Sequence, residues 1–198
     1  MLDAYGIHLG PITIRFYALL LIGGMLAGLW LTARRAIAKK LDVERLWDGF
    51  FWALIPGLIG ARLYHVLTPS PASGLSLQYY LDNPLQILAI WNGGLGIYGA
   101  IVGGVIGIYV YGRRHKQPIL RWLDVVVPGM SLGQAIGRWG NFVNQELYGA
   151  PTELPWAVFI RPENRLPGYT QYDTFHPLFL YESLWNLATC LLLIYLDR

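Results

Sequence analysis

The chain has 198 residues, of which 55% are hydrophobic and only 14% charged, with a mean hydropathy of +0.40. Soluble domains carry about 25% charged residues, so a water-covered surface is excluded, and so is a disordered chain, which needs low hydrophobicity and high net charge. An integral membrane protein remains, with a modest net charge of +3 whose basic residues are clustered. The single cysteine, Cys190, excludes an intramolecular disulfide and any CxxC metal or redox site.

Crossing the hydrocarbon core takes about 20 mostly apolar residues. The first such stretch runs from about Ile14 to Ala33; no basic cluster precedes it and further spans follow, so it reads as a span and not a signal peptide. The others run from about Gly49 to Leu67, Ile90 to Tyr111, Leu120 to Trp139 and Pro177 to Leu196. Arg34, Arg35, Lys39, Lys40 and Arg45 follow the first span, and Arg113, Arg114, Lys116 and Arg121 follow the third. The segment between spans two and three has no Lys or Arg. The positive-inside rule then puts the basic loops in the cytoplasm and the N-terminus outside. The segment from Gly140 to His176 is expected outside as a small irregular head, and five spans leave Asp197-Arg198 inside. The expected fold is an all-α polytopic membrane protein, one membrane domain over residues 1–198 with a head at 140–176.

This topology sends polar groups from five helices to one outer layer. Tyr17 opens span one, Arg62 closes span two, and Tyr98 lies about eight residues into span three, ~12 Å deep. Arg138 closes span four, and Tyr181 and Glu182 open span five. Charged residues within spans usually face a bundle interior or a wet cavity. Snorkelling to the interface competes as an explanation for each residue alone but accounts less well for all of them together.

The richest stretch is Gly137-Arg138-Trp139-Gly140-Asn141-Phe142-Val143-Asn144-Gln145-Glu146-Leu147-Tyr148-Gly149. Arg138 can clamp a phosphate bidentately. Asn141 and Asn144 offer neutral donors and acceptors for glycerol or ester oxygens, and Glu146 can pair with Arg138 or orient another donor. On spacing alone, a polar helix cap at a membrane surface fits the same residues. Gly94-Leu95-Gly96-Ile97-Tyr98-Gly99 matches GxGxxG but lacks the βαβ context of a dinucleotide site. Gly99, Gly103 and Gly107 form a small-residue face for close helix packing. Cys190 reads as a core residue.

The run Gly137-Arg138-x-Gly140-Asn141-Phe142-x-Asn144-x-Glu146-x-x-Gly149 resembles the signature of the prolipoprotein diacylglyceryl transferase family. The resemblance continues in Arg15-Phe16-Tyr17, Gly60-Ala61-Arg62-Leu63, Trp91-Asn92-Gly93-Gly94-Leu95 and Gly96-Ile97-Tyr98-Gly99. It also takes in Asp124 with Pro128, and His176-Pro177 with Leu180-Tyr181-Glu182. It implies a bacterial inner-membrane enzyme that moves the diacylglyceryl group of phosphatidylglycerol to the lipobox cysteine thiol of a prolipoprotein, releasing glycerol phosphate. It further implies that Arg138 contacts the phosphate, that Asn141, Glu146 and Gly149 belong to the site, and that Tyr17 is functional. Many members carry histidine, a candidate base, where this chain has Tyr98. Tyrosines ordinarily titrate near ~10, so Tyr98 is expected to donate a hydrogen bond instead.

The expected catalytic residues are thus Arg138, Tyr98 and Tyr17. Expected on the substrate are Arg138, Asn141, Asn144, Glu146, Gly149, Arg62, Tyr181 and Glu182. The reaction is displacement at the glycerol carbon bearing the phosphate, by a thiolate, with fixed cations steadying the departing phosphate. It calls for no metal, cofactor, enzyme nucleophile or nucleic-acid partner; the partners are phosphatidylglycerol, the lipobox segment and the bilayer. The resemblance also implies seven spans, with a second essential arginine on the sixth, so a fragment, or spans supplied elsewhere, is expected. Two other readings of the residues are a small anion transporter or channel and a non-catalytic phospholipid-binding scaffold.

Overall fold

Small residues, not large ones, face inward along the first long helix. In α1 (Phe16–Ala38) the buried positions are Gly24, Gly28, Thr32 and Ala36, four apart, whereas Leu19, Ile22, Leu26 and Trp30 are exposed. A helix in water does the reverse. The inversion suits a lipid surround, where large apolar side chains face the acyl chains and small residues bring helices close.

The computed structural model describes residues 6–9, 12–69 and 74–197; Arg198 lies outside them. Two compact units are present, Met1–Lys39 with Leu123–Arg198, and Lys40–Trp122.

In the first unit, β1 (Gly6–Leu9) pairs antiparallel with β2 (Ile12–Arg15), and α1 starts directly after it. α1 lies against α6 (Ile119–Asn144) at near backbone contact. A Cβ on Gly24 would sit 2.5 Å from the Gly133 carbonyl oxygen, and one on Gly28 would sit 2.6 Å from that of Gly129. α7 (Leu178–Leu196) is locked to α6 by a polar step and an aromatic one. Trp139 Nε1 donates to Ser183 Oγ at 3.2 Å, and that hydroxyl donates to the Ala135 carbonyl at 2.7 Å. The Phe179 ring packs on Trp139 and Phe142 at centroid distances of 5.4 and 4.9 Å. Cys190 is buried, the core residue expected. Past the end of α7, Asp197 pairs with Arg35 and Lys39. The Lys39 hydrogen bond, together with the Lys39 and Arg35 charges, holds its carboxyl below the usual carboxylate range against the opposing effect of desolvation.

Between α6 and α7 the chain is largely irregular. Its regular parts are β3 (Val158–Phe159) paired antiparallel with β4 (Thr174–Phe175), and a 3-10 turn at Pro162–Asn164. Phe175 and Ile160 are its buried centre. This irregular segment starts later than Gly140, because α6 continues to Asn144.

In the second unit, α2 (Val43–Leu67) begins with Asp42 accepting from the Glu44 N–H. It packs on α5 (Ile97–His115), where Gly99, Gly103 and Gly107 abut the carbonyls of Gly60, Pro56 and Trp52. The glycine face is therefore a packing face, as its spacing suggests. Two short helices, α3 (Leu77–Asp82) and α4 (Leu85–Leu88), lie between. The third expected span needs correction. Ile90–Asn92 is a 3-10 turn, and Gly93 (φ 81°) and Gly94 (φ 73°) are left-handed, so α5 starts only at Ile97. A charge-free run conceals this break from any reading by hydropathy. Tyr98 consequently sits in the first helical turn, not two turns in.

Among the described residues three helices, α1, α2 and α7, are long and apolar enough to cross a membrane. The other two expected spans are helices too, but less apolar. α5 has Arg113, Arg114 and His115 in its last turn, and α6 carries Arg121, Asp124 and Arg138.

Candidate active site

Arg138 is on the last turns of α6, with its side chain 37% exposed. Its Nη2 pairs with Glu182 Oε2 at 2.5 Å, and its Nη1 donates to Asn141 Oδ1 at 3.4 Å, one turn on along the same face. Asn141 Nδ2 donates in turn to Glu146 Oε1 at 3.2 Å, and Asn144 Nδ2 donates to the same oxygen at 3.2 Å. Of the two roles open to Glu146, the second is realised: it orients carboxamides, and Glu182 is the partner of Arg138. The result is a hydrogen-bonded row, Glu182–Arg138–Asn141–Glu146–Asn144.

A reversal of the chain just past α6 builds this row. Gln145 (φ 53°) and Leu147 (φ 52°) are left-handed, a conformation that costs non-glycine residues of order 1 kcal/mol or more and must be held from outside. The Gln145 side chain holds it. Its Oε1 accepts from the Arg161 N–H at 2.9 Å and from Asn164 Nδ2 at 3.2 Å, and its Nε2 donates to the Phe159 carbonyl at 3.3 Å. The reversal lets the Glu146 N–H donate to the Asn141 carbonyl at 3.0 Å, bringing the carboxylate back beneath the carboxamides.

Arg138, Glu182 and Tyr181 share an open cleft of about 510 Å³ with Gln134, Trp185 and Asn186. Tyr17 comes in from α1; a Cβ on Gly140 would lie 2.6 Å from its ring, so only glycine admits the tyrosine there. Gly149 lies against His176, with its N–H donating to the His176 carbonyl at 2.9 Å and room for no Cβ, which would meet His176 Cβ at 2.8 Å. The Tyr181 hydroxyl takes a hydrogen bond from Trp156 Nε1 at 2.8 Å and is 3.0 Å from His176 Nδ1. Eight of the expected residues thus belong to this first unit: Tyr17, Arg138, Asn141, Asn144, Glu146, Gly149, Tyr181 and Glu182.

Arg62 and Tyr98 belong to the second unit. Arg62 is 7% exposed, and four of its N–H groups are spent on backbone carbonyls. Nε donates to Ile87 (2.8 Å), Nη2 to Gln86 (2.6 Å), and Nη1 to Gly93 (2.7 Å) and Gly94 (2.8 Å). Its guanidinium also lies 5.7 Å from the centroid of the Tyr80 ring. Tyr98 is exposed and its ring leans on Tyr64 at 5.8 Å. His176, Trp156 and Ser183 were not singled out as site residues by sequence reasoning. A hydroxyl directly after Glu182 in an apolar helix was the available signal for Ser183; nothing local marks Trp156.

Large apolar side chains facing outward, with a guanidinium–carboxylate pair in an open cleft and a hydrogen-bonded row of two carboxamides and a second carboxylate leading from it, define an α-helical membrane protein. The chain belongs to the prolipoprotein diacylglyceryl transferase family, whose model matches residues 4–198. It is similar to the phosphatidylglycerol–prolipoprotein diacylglyceryl transferase of Synechococcus elongatus, at 46% identity over 192 residues, which is 97% of this chain and 64% of that protein. Similar too are transferase 2 of Streptomyces coelicolor, 45% identical over 191 residues (96% and 58%), and the enzyme of Gloeobacter violaceus, 42% identical over 190 (96% and 68%). The chain spans about three fifths to two thirds of the length of these relatives.

Proposed function

We propose that the protein transfers the diacylglyceryl group of phosphatidylglycerol to the lipobox cysteine thiol of a prolipoprotein and releases glycerol phosphate, the first step of bacterial lipoprotein maturation. The observation that carries this reading is the state of Arg138. Glu182 and Asn141 each engage one of its terminal nitrogens, and its remaining N–H donors are available to the open cleft. A phosphodiester entering the cleft meets a guanidinium already oriented, which is the arrangement that stabilises charge developing on a leaving phosphate. The thiolate sulfur bonds to the glycerol carbon as the carbon–oxygen bond breaks, and the electron pair leaves on the phosphate oxygen. Asn141 and Asn144, held by Glu146, present amide groups to the glycerol and ester oxygens. Trp185 and Tyr181 supply an apolar wall along the lipid's path.

In this reading α5 and α6 cross the membrane with α1, α2 and α7. The basic loops face the cytoplasm of a bacterial cell and the N-terminus lies outside. The segment after α6 is an extracytoplasmic head, with the cleft near the outer leaflet of the inner membrane. Tyr17 and Gly149 shape the site, Tyr98 serves as a hydrogen-bond donor, and Arg62 orders the backbone ahead of α5. The test is direct: full-length protein in membranes containing phosphatidylglycerol is incubated with a lipobox peptide. Lipidated peptide and free glycerol phosphate are expected, and none from Arg138→Ala. Normal transfer by that variant would overturn the reading.

A further inference from the structure

Phosphate binding at Arg138 leaves the polar ends of a linked trio of side chains beside the cleft without a task. Tyr181 lines the cleft, and its hydroxyl touches both Trp156 Nε1 at 2.8 Å and His176 Nδ1 at 3.0 Å. An indole N–H can only donate, so Trp156 occupies one lone pair of the hydroxyl. With the imidazole hydrogen on Nε2, the phenolic proton is donated to the bare Nδ1 of His176. The histidine is itself firmly set. Its N–H donates to the Ala150 carbonyl at 3.0 Å, its carbonyl accepts from Gly149 at 2.9 Å, and buried Pro177 follows it.

We infer that His176, acting through the Tyr181 hydroxyl, takes the proton of the thiol that enters the cleft. The inference rests on the transfer reaction proposed above and supplies the base that reaction needs, because an ordinary thiol, titrating near ~8.5, is only slightly ionised at neutral pH. The thiol proton passes to the Tyr181 oxygen as the phenolic proton moves to His176 Nδ1. The sulfur's electron pair forms the new carbon–sulfur bond, and the breaking carbon–oxygen pair leaves with the phosphate. The imidazolium returns its proton along the same path to the departing glycerol phosphate or to water. Tyr181 is the group that meets the thiol; His176 acts behind it, and Trp156 orients the hydroxyl between them. The charged neighbours along the cleft, Arg138 and Glu182, form an ion pair with each other. On the head side Tyr148 has its hydroxyl engaged by Asn164 and Leu166.

The test is kcat/KM for lipobox-peptide lipidation from about pH 6 to pH 9.5, using the full-length protein in phosphatidylglycerol membranes. The natural protein should be well active at pH 7, where the unaided peptide thiol is only slightly ionised. His176→Gln and Tyr181→Phe should each fall about 100-fold at pH 7. Both should then climb with pH towards the natural rate at about pH 9, where the peptide thiol ionises unaided. A purely structural defect would lower the rate equally at every pH. Parallel profiles for His176→Gln and the natural protein would overturn the inference, as would an unchanged rate for Tyr181→Phe. Should His176→Gln fail to fold, Tyr181→Phe, which keeps the ring and deletes only the hydroxyl, carries the test. If the natural protein lipidates no peptide at any pH, the transfer reaction itself has failed, and the relay falls with it.

Discussion

Arg62 and Arg138 are both guanidiniums near the end of a long helix, yet their surroundings assign them different work. Arg62 is buried with four carbonyls around it and, among the described residues, no carboxylate partner. Hydrogen bonds from a charged group are worth about 1.5–3 kcal/mol each when buried, so these bonds hold the bend before α5. Lysine offers three donors from a single point and cannot reach carbonyls spread over Gln86, Ile87, Gly93 and Gly94. Arg62→Lys should therefore cost about 2 kcal/mol or more, a fall of about 4–8 °C in melting midpoint in detergent. Arg138→Lys should melt within about 1 kcal/mol of the natural protein, since its ion pair is half exposed, while peptide lipidation falls roughly 100-fold. Melting and lipidation measured on the same preparations check both, and the opposite pattern would reverse the two roles. The contrast is illegible in the sequence because the ligands of Arg62 are carbonyls, which every residue has. Arg138, Asn141, Asn144 and Glu146 were legible because one short stretch holds them; the bond from Arg138 to Glu182 joins distant parts of the chain and was not.

Helix pairing within each unit is governed by glycines, and the spacing alone marks one of the faces involved. Gly99, Gly103 and Gly107 stand four apart on α5 and meet α2, as that pattern implies. In the other unit Gly24 and Gly28 meet Gly133 and Gly129, again four apart on each helix. Gly23 is the internal control, for a Cβ there would meet nothing within 4 Å. Gly23→Ala should leave the protein unchanged or raise its stability by up to about 1 kcal/mol through helix propensity. Gly28→Ala drives a methyl against the Gly129 carbonyl and should cost about 1–3 kcal/mol. Thermal unfolding of the pair in one detergent measures the difference; equal midpoints would mean that α1 and α6 do not pack through this face. What hydropathy missed was the start of α5. Gly93 and Gly94 break the chain by backbone conformation, and no change of polarity accompanies the break.

At the scale of the whole molecule, the distribution of charge argues for a definite orientation across the bilayer. Basic residues gather after α1 and in the turn from α5 to α6, whereas the segment between α6 and α7 mixes Arg161 and Arg165 with Glu153, Glu163 and Asp173. Within that segment Arg165 is paired with Asp173 at 2.7 Å. Unbalanced positive charge is what the cytoplasmic side retains, so the first two regions should lie inside and the third outside. The single natural cysteine makes this measurable without first removing it, because Cys190 is 2% exposed and out of reach of a bulky reagent. New cysteines at Ala38, His115 and Gln171 leave every Lys and Arg in place, so the charge pattern under test is not disturbed. In intact cells a membrane-impermeant maleimide should label the Gln171→Cys protein. The Ala38→Cys and His115→Cys proteins should react only after permeabilisation. The same experiment tests whether α5 and α6 span the membrane despite their lower hydropathy. If α6 did not cross, residues 115 and 171 would react from the same side, with a single span, α7, left to separate the head from Asp197. Labelling of the His115→Cys protein in intact cells would therefore refute both the orientation and the placing of the Arg138 cleft near the outer leaflet.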